Sequence, residues 1–254
     1  MNPFRIRMLA AALTLGLLIL TGGLAQAQDR FSLELEAGPV WQTKNDQEIP
    51  NDGTATRFSL VDLAGKGPQF AARGYLTWNI NEKHSLRGLF APLSFTETGT
   101  PAGDISFNGD SFLAGVPTEA TYTFNNYRLT YRYLWLEGEN WRWHIGFTAK
   151  IRDAQVQLVQ GDLTSTKDNT GFVPLLHLAG RYQINDSWYV NLDIDALAGG
   201  PGRAEDAALK VGRRLGSSLA WELGYRTVEG GADVDEVYSF AWLHYAVTSV
   251  RWDF

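Results

Sequence analysis

The chain is predicted to be all-β: a single antiparallel sheet of about ten strands closed into a transmembrane barrel, with short turns at one end and longer loops at the other. Three features carry that reading. Segments of strand length alternate apolar and polar side chains, short and long polar connections alternate between those segments, and the nine tryptophans gather near strand ends.

The alternation is clearest in two adjoining segments. Tyr127, Leu129, Tyr131, Tyr133 and Trp135 share one parity while Arg128, Thr130 and Arg132 hold the other. Trp141, Trp143, Ile145, Phe147 and Ile151 then alternate with Arg142, His144, Thr148, Lys150 and Arg152. Successive side chains of a strand point to opposite faces, so one face is apolar and the other cationic. A soluble sandwich also alternates; turn lengths and tryptophan depth decide for a barrel.

Tight polar turns stand at 81–83, 137–140, 185–187 and 216–218. Between them lie polar, glycine-containing connections at about 42–68, 96–121, 160–171, 199–203 and 229–236. Nine connections require ten strands, placed at 30–41, 69–80, 84–95, 122–136, 141–158, 172–184, 188–198, 204–215, 219–228 and 237–254. An even number puts both ends of the sheet on the short-turn, periplasmic side. Eight or twelve strands remain alternatives. A parity change near Asn125-Asn126 suggests a bulge, and 58–63 reads as a β extension or a turn of helix. Pro39, Pro92 and Pro174 fall toward outer strand ends, where a missing ladder donor is tolerated.

Trp78, Trp135, Trp141, Trp143, Trp188, Trp221 and Trp252 lie near the periplasmic turns, and Trp41 and Trp242 near the outer ends. Indole combines an apolar ring with an N–H donor and favours the membrane–water interface, so these residues are expected to form two girdles.

At the start of the chain, Arg5 and Arg7 precede an apolar run from Met8 to Leu20, and Ala25-Gln26-Ala27 offers a cleavage site. Residues 1–27 therefore read as a secretory signal peptide and 28–254 as the barrel domain. Loss of Arg5 and Arg7 with that leader takes the net charge from −6 to −8, which argues against a nucleic-acid partner. There is no cysteine, hence no disulfide framework.

The last segment carries Phe240, Trp242, His244, Ala246, Thr248, Val250, Trp252 and Phe254 on one parity. This resembles the C-terminal signature of the Gram-negative outer-membrane β-barrel superfamily, at its small-barrel end, although no motif matches a characterised member. The resemblance implies an outer-membrane location and contact with outer-membrane lipid and lipopolysaccharide. It also implies recognition of the strand ending in Phe254 by the barrel-assembly machinery.

Charge cannot face lipid cheaply, so the opposite parity must line the lumen. It carries Arg73, Arg87, Arg128, Arg132, Arg142, Lys150, Arg152, Arg181, Arg226 and Arg251 against Glu34, Glu36, Asp193, Asp195, Glu222 and Asp253. The eighth strand is left out of this set, because Arg213 follows Ala207, Leu209 and Val211 on their face. Either the charges cross-pair and fill the lumen, giving a passive scaffold, or the basic excess lines a narrow, porin-like passage for a small anionic solute. Eight strands enclose only side chains and sixteen an aqueous channel, so ten lies nearer the filled case.

Chemistry is weakly signalled, and no enzyme activity is expected. Omptin proteases use Asp and Asp–His pairs at the outer rim, whereas His84 and His144 lie at or near periplasmic turns and His177 in the lumen. Lipid A-modifying barrels use Ser and His facing the outer leaflet, and His244 is the one candidate for that role. A Ser or Asp within hydrogen-bond reach of His177 or His244 would favour the enzyme reading. Asp233-Val234-Asp235-Glu236 lacks the ligand pattern of a calcium loop. No cofactor or metal is implied, and the outer loops, including that bearing Phe107 and Phe112, suggest no identifiable partner. Arginine at Leu129 or Ile145 should block assembly, and arginine at Thr130 should be milder.

Overall fold

The computed structural model describes residues 30–254; the leader expected at 1–27 lies outside the described residues. Its elements are β1 (Phe31–Glu48), β2 (Phe58–Ser59), α1 (Leu60–Ala64), β3 (Gln69–Asn79), β4 (His84–Ala91), β5 (Ser94–Gly99), β6 (Ile105–Phe107), β7 (Asp110–Phe112), β8 (Thr118–Glu137), β9 (Trp141–Gln160), β10 (Leu163–Gln183), β11 (Trp188–Gly199), β12 (Gly202–Arg214), β13 (Leu219–Val234) and β14 (Val237–Asp253). Ten of these, β1, β3, β4 and β8 to β14, pair antiparallel in chain order, and β14 closes the sheet on β1. The fold is the closed ten-stranded barrel that the alternation predicts.

The strands are longer than expected. A membrane crossing takes about 9–11 tilted residues, yet β8 and β9 have 20 residues each and β10 has 21. The expected loops at 160–171, 199–203 and 229–236 are therefore hairpins whose strands run almost to the tip. Their polarity reflects water on the outer face rather than irregular backbone. Beyond the membrane the barrel continues as two walls. One combines β11, β12, β13, β14 and β1 with β2; the other combines β5, β8, β9 and β10. The walls separate because β3 pairs β1 only as far as Val40 and β11 pairs β10 only as far as Leu176. Pro39 and Pro174 stand at these partings, mid-strand rather than at strand ends, and Pro92 interrupts the course from β4 to β5.

The polarity of β8 and β9 inverts along their length. On β8, Tyr127, Leu129 and Tyr131 are exposed while Arg128 and Thr130 are buried, but further out Glu119 is exposed while Ala120 and Tyr122 are buried. On β9, Phe147 and Ile151 face out, whereas Val156 and Leu158 face in. No bulge is needed near Asn125-Asn126, where the β8–β9 register is continuous; the register shift falls between Leu134 and Leu136. The change of hydrophobic parity marks the surface of the bilayer, where the outer medium changes from lipid to water.

The space between the walls is filled by the two true loops. Ile49, Leu60 and Leu63 from the first, and Ile105, Phe107 and Phe112 from the second, pack on Tyr122, Val156, Leu158 and Ala241. Residues 58–64 are both of the expected alternatives in turn: β2 pairs β1, and α1 follows. The α1 end lies so close to β5 that a Cβ on Gly99 would stand 1.2 Å from the Leu63 carbonyl oxygen. A buried amide relay anchors this loop to β1: Gln47 Nε2 donates to Asn45 Oδ1 at 2.6 Å, Asn45 Nδ2 to Gln42 Oε1 at 2.9 Å, and Gln42 Nε2 to the Gly65 carbonyl at 2.7 Å.

Candidate functional site

The membrane-level lumen is crossed by a belt of ion pairs. Asp206 of β12 is its hub. It accepts from Arg73 of β3 at 2.6 Å, from Arg226 of β13, and lies 2.8 Å from an Arg128 Nη of β8. Glu36 of β1 accepts from Arg226 at 2.8 Å and 3.2 Å. Lys210, four residues along from Asp206 on the same face, pairs with Glu34, with Glu36 at 3.3 Å and with Glu222 at 2.6 Å. Glu222 also accepts from Tyr189 at 3.0 Å and Asn191 at 2.6 Å. The three carboxylates at the centre, Glu36, Asp206 and Glu222, are 1–2% exposed. Burial of such charges is tolerable because each carboxylate has several donors; removing one partner leaves the others desolvated and uncompensated.

A second group lies beside the belt. Arg87 holds Asp193 through two bonds, at 2.5 Å and 3.0 Å. Asp195 accepts from Arg128 at 3.0 Å and Thr148 at 2.7 Å, and His177 Nδ1 lies 2.8 Å from it. His177, Asp193 and Asp195 bring their ligand atoms within 4.8 Å of one another. That spacing suits a metal, but both carboxylates already hold arginines, so the electrostatics there oppose a cation. Thr130 bonds Thr148 at 2.8 Å between these charges. Thr130 is buried there, so an arginine at this position must displace packed neighbours, a cost that parity alone does not register.

The remaining predicted lumen residues divide. Arg132, Lys150, Arg152 and Arg181 face inward without a carboxylate partner among the described residues. Lys150 is buried with its ammonium 5.0 Å from the Phe124 ring centroid, and Arg152 reaches Asn169. Arg251 pairs with Asp253 at 2.7 Å. Arg142 is not a lumen residue: it lies at the β8–β9 turn, exposed, and pairs with Glu137 at 2.5 Å. Its inward parity counts for nothing there, because the strand has left the bilayer.

Asp206 and Lys210 escape the sequence reading because Arg213 leaves the parity of β12 undecided. The structure shows why Arg213 misled: at the periplasmic edge an outward arginine reaches the interface, here 5.5 Å from the Trp188 ring centroid. The inward sequence Asp206, Ala208, Lys210 was the available signal.

The nine tryptophans all lie on the outer face of their strands, and Trp141 and Trp143 stack at 5.7 Å. His244 stands in the outer girdle beside Trp242, with Thr43 at 2.8 Å on Nε2 and the Tyr225 hydroxyl at 2.5 Å on Nδ1. Phe254 closes the seam: it exchanges backbone bonds of 2.8 Å with Phe31 in both directions, and their rings stack at 6.1 Å. In the last outer hairpin Asp233 is engaged by Asn51 at 2.8 Å, holding the first loop.

No family model and no curated protein sequence matches the chain. Among solved structures, it is similar to the outer-membrane protease OmpT of Escherichia coli, with a TM-score of 0.58 and 9% identity over 92% of this chain and all of that one. The translocator domain of autotransporter NalP from Neisseria meningitidis gives 0.48 with 12% identity over 96% of each chain. The COG4313 outer-membrane channel of Pseudomonas putida F1 gives 0.41 with 10% identity over 92% of this chain and all of that one. At these identities the likeness is one of fold, and the OmpT structure carries it.

Proposed function

We propose that this protein is a non-conducting outer-membrane scaffold: a barrel sealed by its ion-pair belt that holds the two-walled, loop-filled headpiece outside the bilayer. The observation carrying this reading is Asp206, engaged by arginines from β3, β8 and β13. Those contacts tie widely separated parts of the barrel wall together through its centre. The apolar loop core closes the same lumen a second time, above the belt.

The barrel works without chemistry of its own. Asp195 is within reach of His177, but His177 is buried, so substrate has no access to it. The contacts of His244 are hydroxyls and aromatic rings, without the acid that would orient it as a base.

A narrow anion pore is the second reading, favoured by the inward cations that lack carboxylates. Conductance of refolded mature protein in a planar bilayer separates the two. Silence from demonstrably inserted protein is expected for the scaffold. Reproducible steps with anion preference would overturn it in favour of the pore.

A further inference from the structure

The lumen charge is not balanced along its length. At the belt every carboxylate has at least one base, and Glu36 and Asp206, both buried, are shared among three each. Toward the periplasmic end the pattern changes. Arg132 of β8 has a buried Nε without a hydrogen-bond partner among the described residues. Arg181 of β10 donates only its Nε, to Asn191 at 2.8 Å, with its guanidinium 4.3 Å from the Tyr189 ring centroid. Both side chains are half-buried rather than sealed, as is His144, which lies on β9 between their strands. Ser85 of β4 faces Arg132 across the β4–β8 ladder. Arg132, Arg181 and Arg251 are close enough to repel one another. The nearby acids are already taken: Asp193 by Arg87, Asp253 by Arg251 and Glu222 by Lys210.

We infer that the periplasmic half of the lumen is a binding site for a small oxyanion, held between the Arg132 and Arg181 guanidiniums with Ser85 and His144 beside them. Guanidinium forks left without a carboxylate in a partly desolvated cleft favour an oxyanion, which supplies the missing acceptors and charge. A cation is excluded by the same arginines. The site lies below the belt and is reached from the periplasm, so it exists whether or not the barrel conducts.

The test is calorimetric titration of the refolded protein in zwitterionic detergent with inorganic phosphate, and separately with sulfate. Saturable binding is expected in the wild type. Arg132→Gln with Arg181→Gln should weaken it at least about tenfold, the loss expected when charge-assisted bonds are removed. Arg152→Gln should leave affinity within about twofold, because Arg152 lies on the outer side of the belt and makes no local contact with the site. Folding of each variant is read by heat-modifiable migration on gels. Should the double variant fail to fold, Arg132→Gln alone and Arg132→Lys replace it, with loss expected in the first and partial retention in the second. No saturable heat in the wild type, undiminished binding in the arginine variants, or a loss confined to Arg152→Gln would each overturn the site.

Discussion

Arg73 and Asp206 meet at 2.6 Å from β3 and β12, strands four ladder steps apart around the ten-stranded barrel. Arg128 and Arg226 converge on the same carboxylate. Asp206→Asn would leave three buried guanidiniums short of their shared charge. Breaking a buried ion pair costs about 3–5 kcal/mol, so the urea midpoint of the folded barrel in detergent should fall steeply. Asp253→Asn breaks a half-exposed pair with Arg251 and should cost less than about 1 kcal/mol. Equal midpoints for the two variants would mean that the belt does not hold the barrel together.

Leu129 and Glu119 share one strand and one face, yet the inversion of polarity puts lipid outside the first and water outside the second. Arginine near the bilayer midplane costs about 2–4 kcal/mol, so Leu129→Arg should sharply reduce the yield of folded protein in lipid vesicles. Glu119→Arg should fold like the wild type. A comparable loss from both would remove the bilayer boundary placed between them.

Strand number, closure and the lumen face were legible because lipid imposes a period-two pattern that has few imitators. In Tyr127 to Trp135 that pattern needs no tertiary knowledge. It stopped being legible where lipid stops. Residues 163–171 and 229–234 have the composition of loops, and only pairing with a neighbouring strand shows them to be extended. Tyr122 and Phe124 looked like a change of register because an apolar inner face was not expected in a membrane barrel; they face a loop-built core whose partners lie far away in sequence. Asp206 and Lys210 were obscured by a single outward arginine at the periplasmic edge. Pairing within the lumen was beyond sequence altogether, since alternation says which residues face inward but not which of them meet across it.

Gly99 lies directly beneath α1, with the Leu63 carbonyl where any side chain would begin. Gly99→Val should therefore displace the first loop without altering the membrane strands. The expected result is faster tryptic cleavage at Lys66 in the refolded protein, with heat-modifiable migration unchanged. Wild-type cleavage rates would show that α1 does not rest on β5 as described.

Phe107 tests whether the headpiece is a separate cooperative unit. It is fully buried among residues of both loops and both walls, and packs edge-on against Phe58 at 5.9 Å. Phe107→Ala should cost about 3–5 kcal/mol where it acts. The membrane-level belt shares no residue with this core, so the cost should appear as local opening rather than global unfolding. Limited trypsin digestion should nick the first loop at Arg57 and Lys66 far faster than in the wild type, while the urea midpoint reported by the girdle tryptophans stays where a change of less than about 0.5 kcal/mol in unfolding free energy would leave it. A matching fall in that midpoint would mean that loops, walls and belt unfold together, and the headpiece would then be part of the barrel's own stability rather than a unit carried on it.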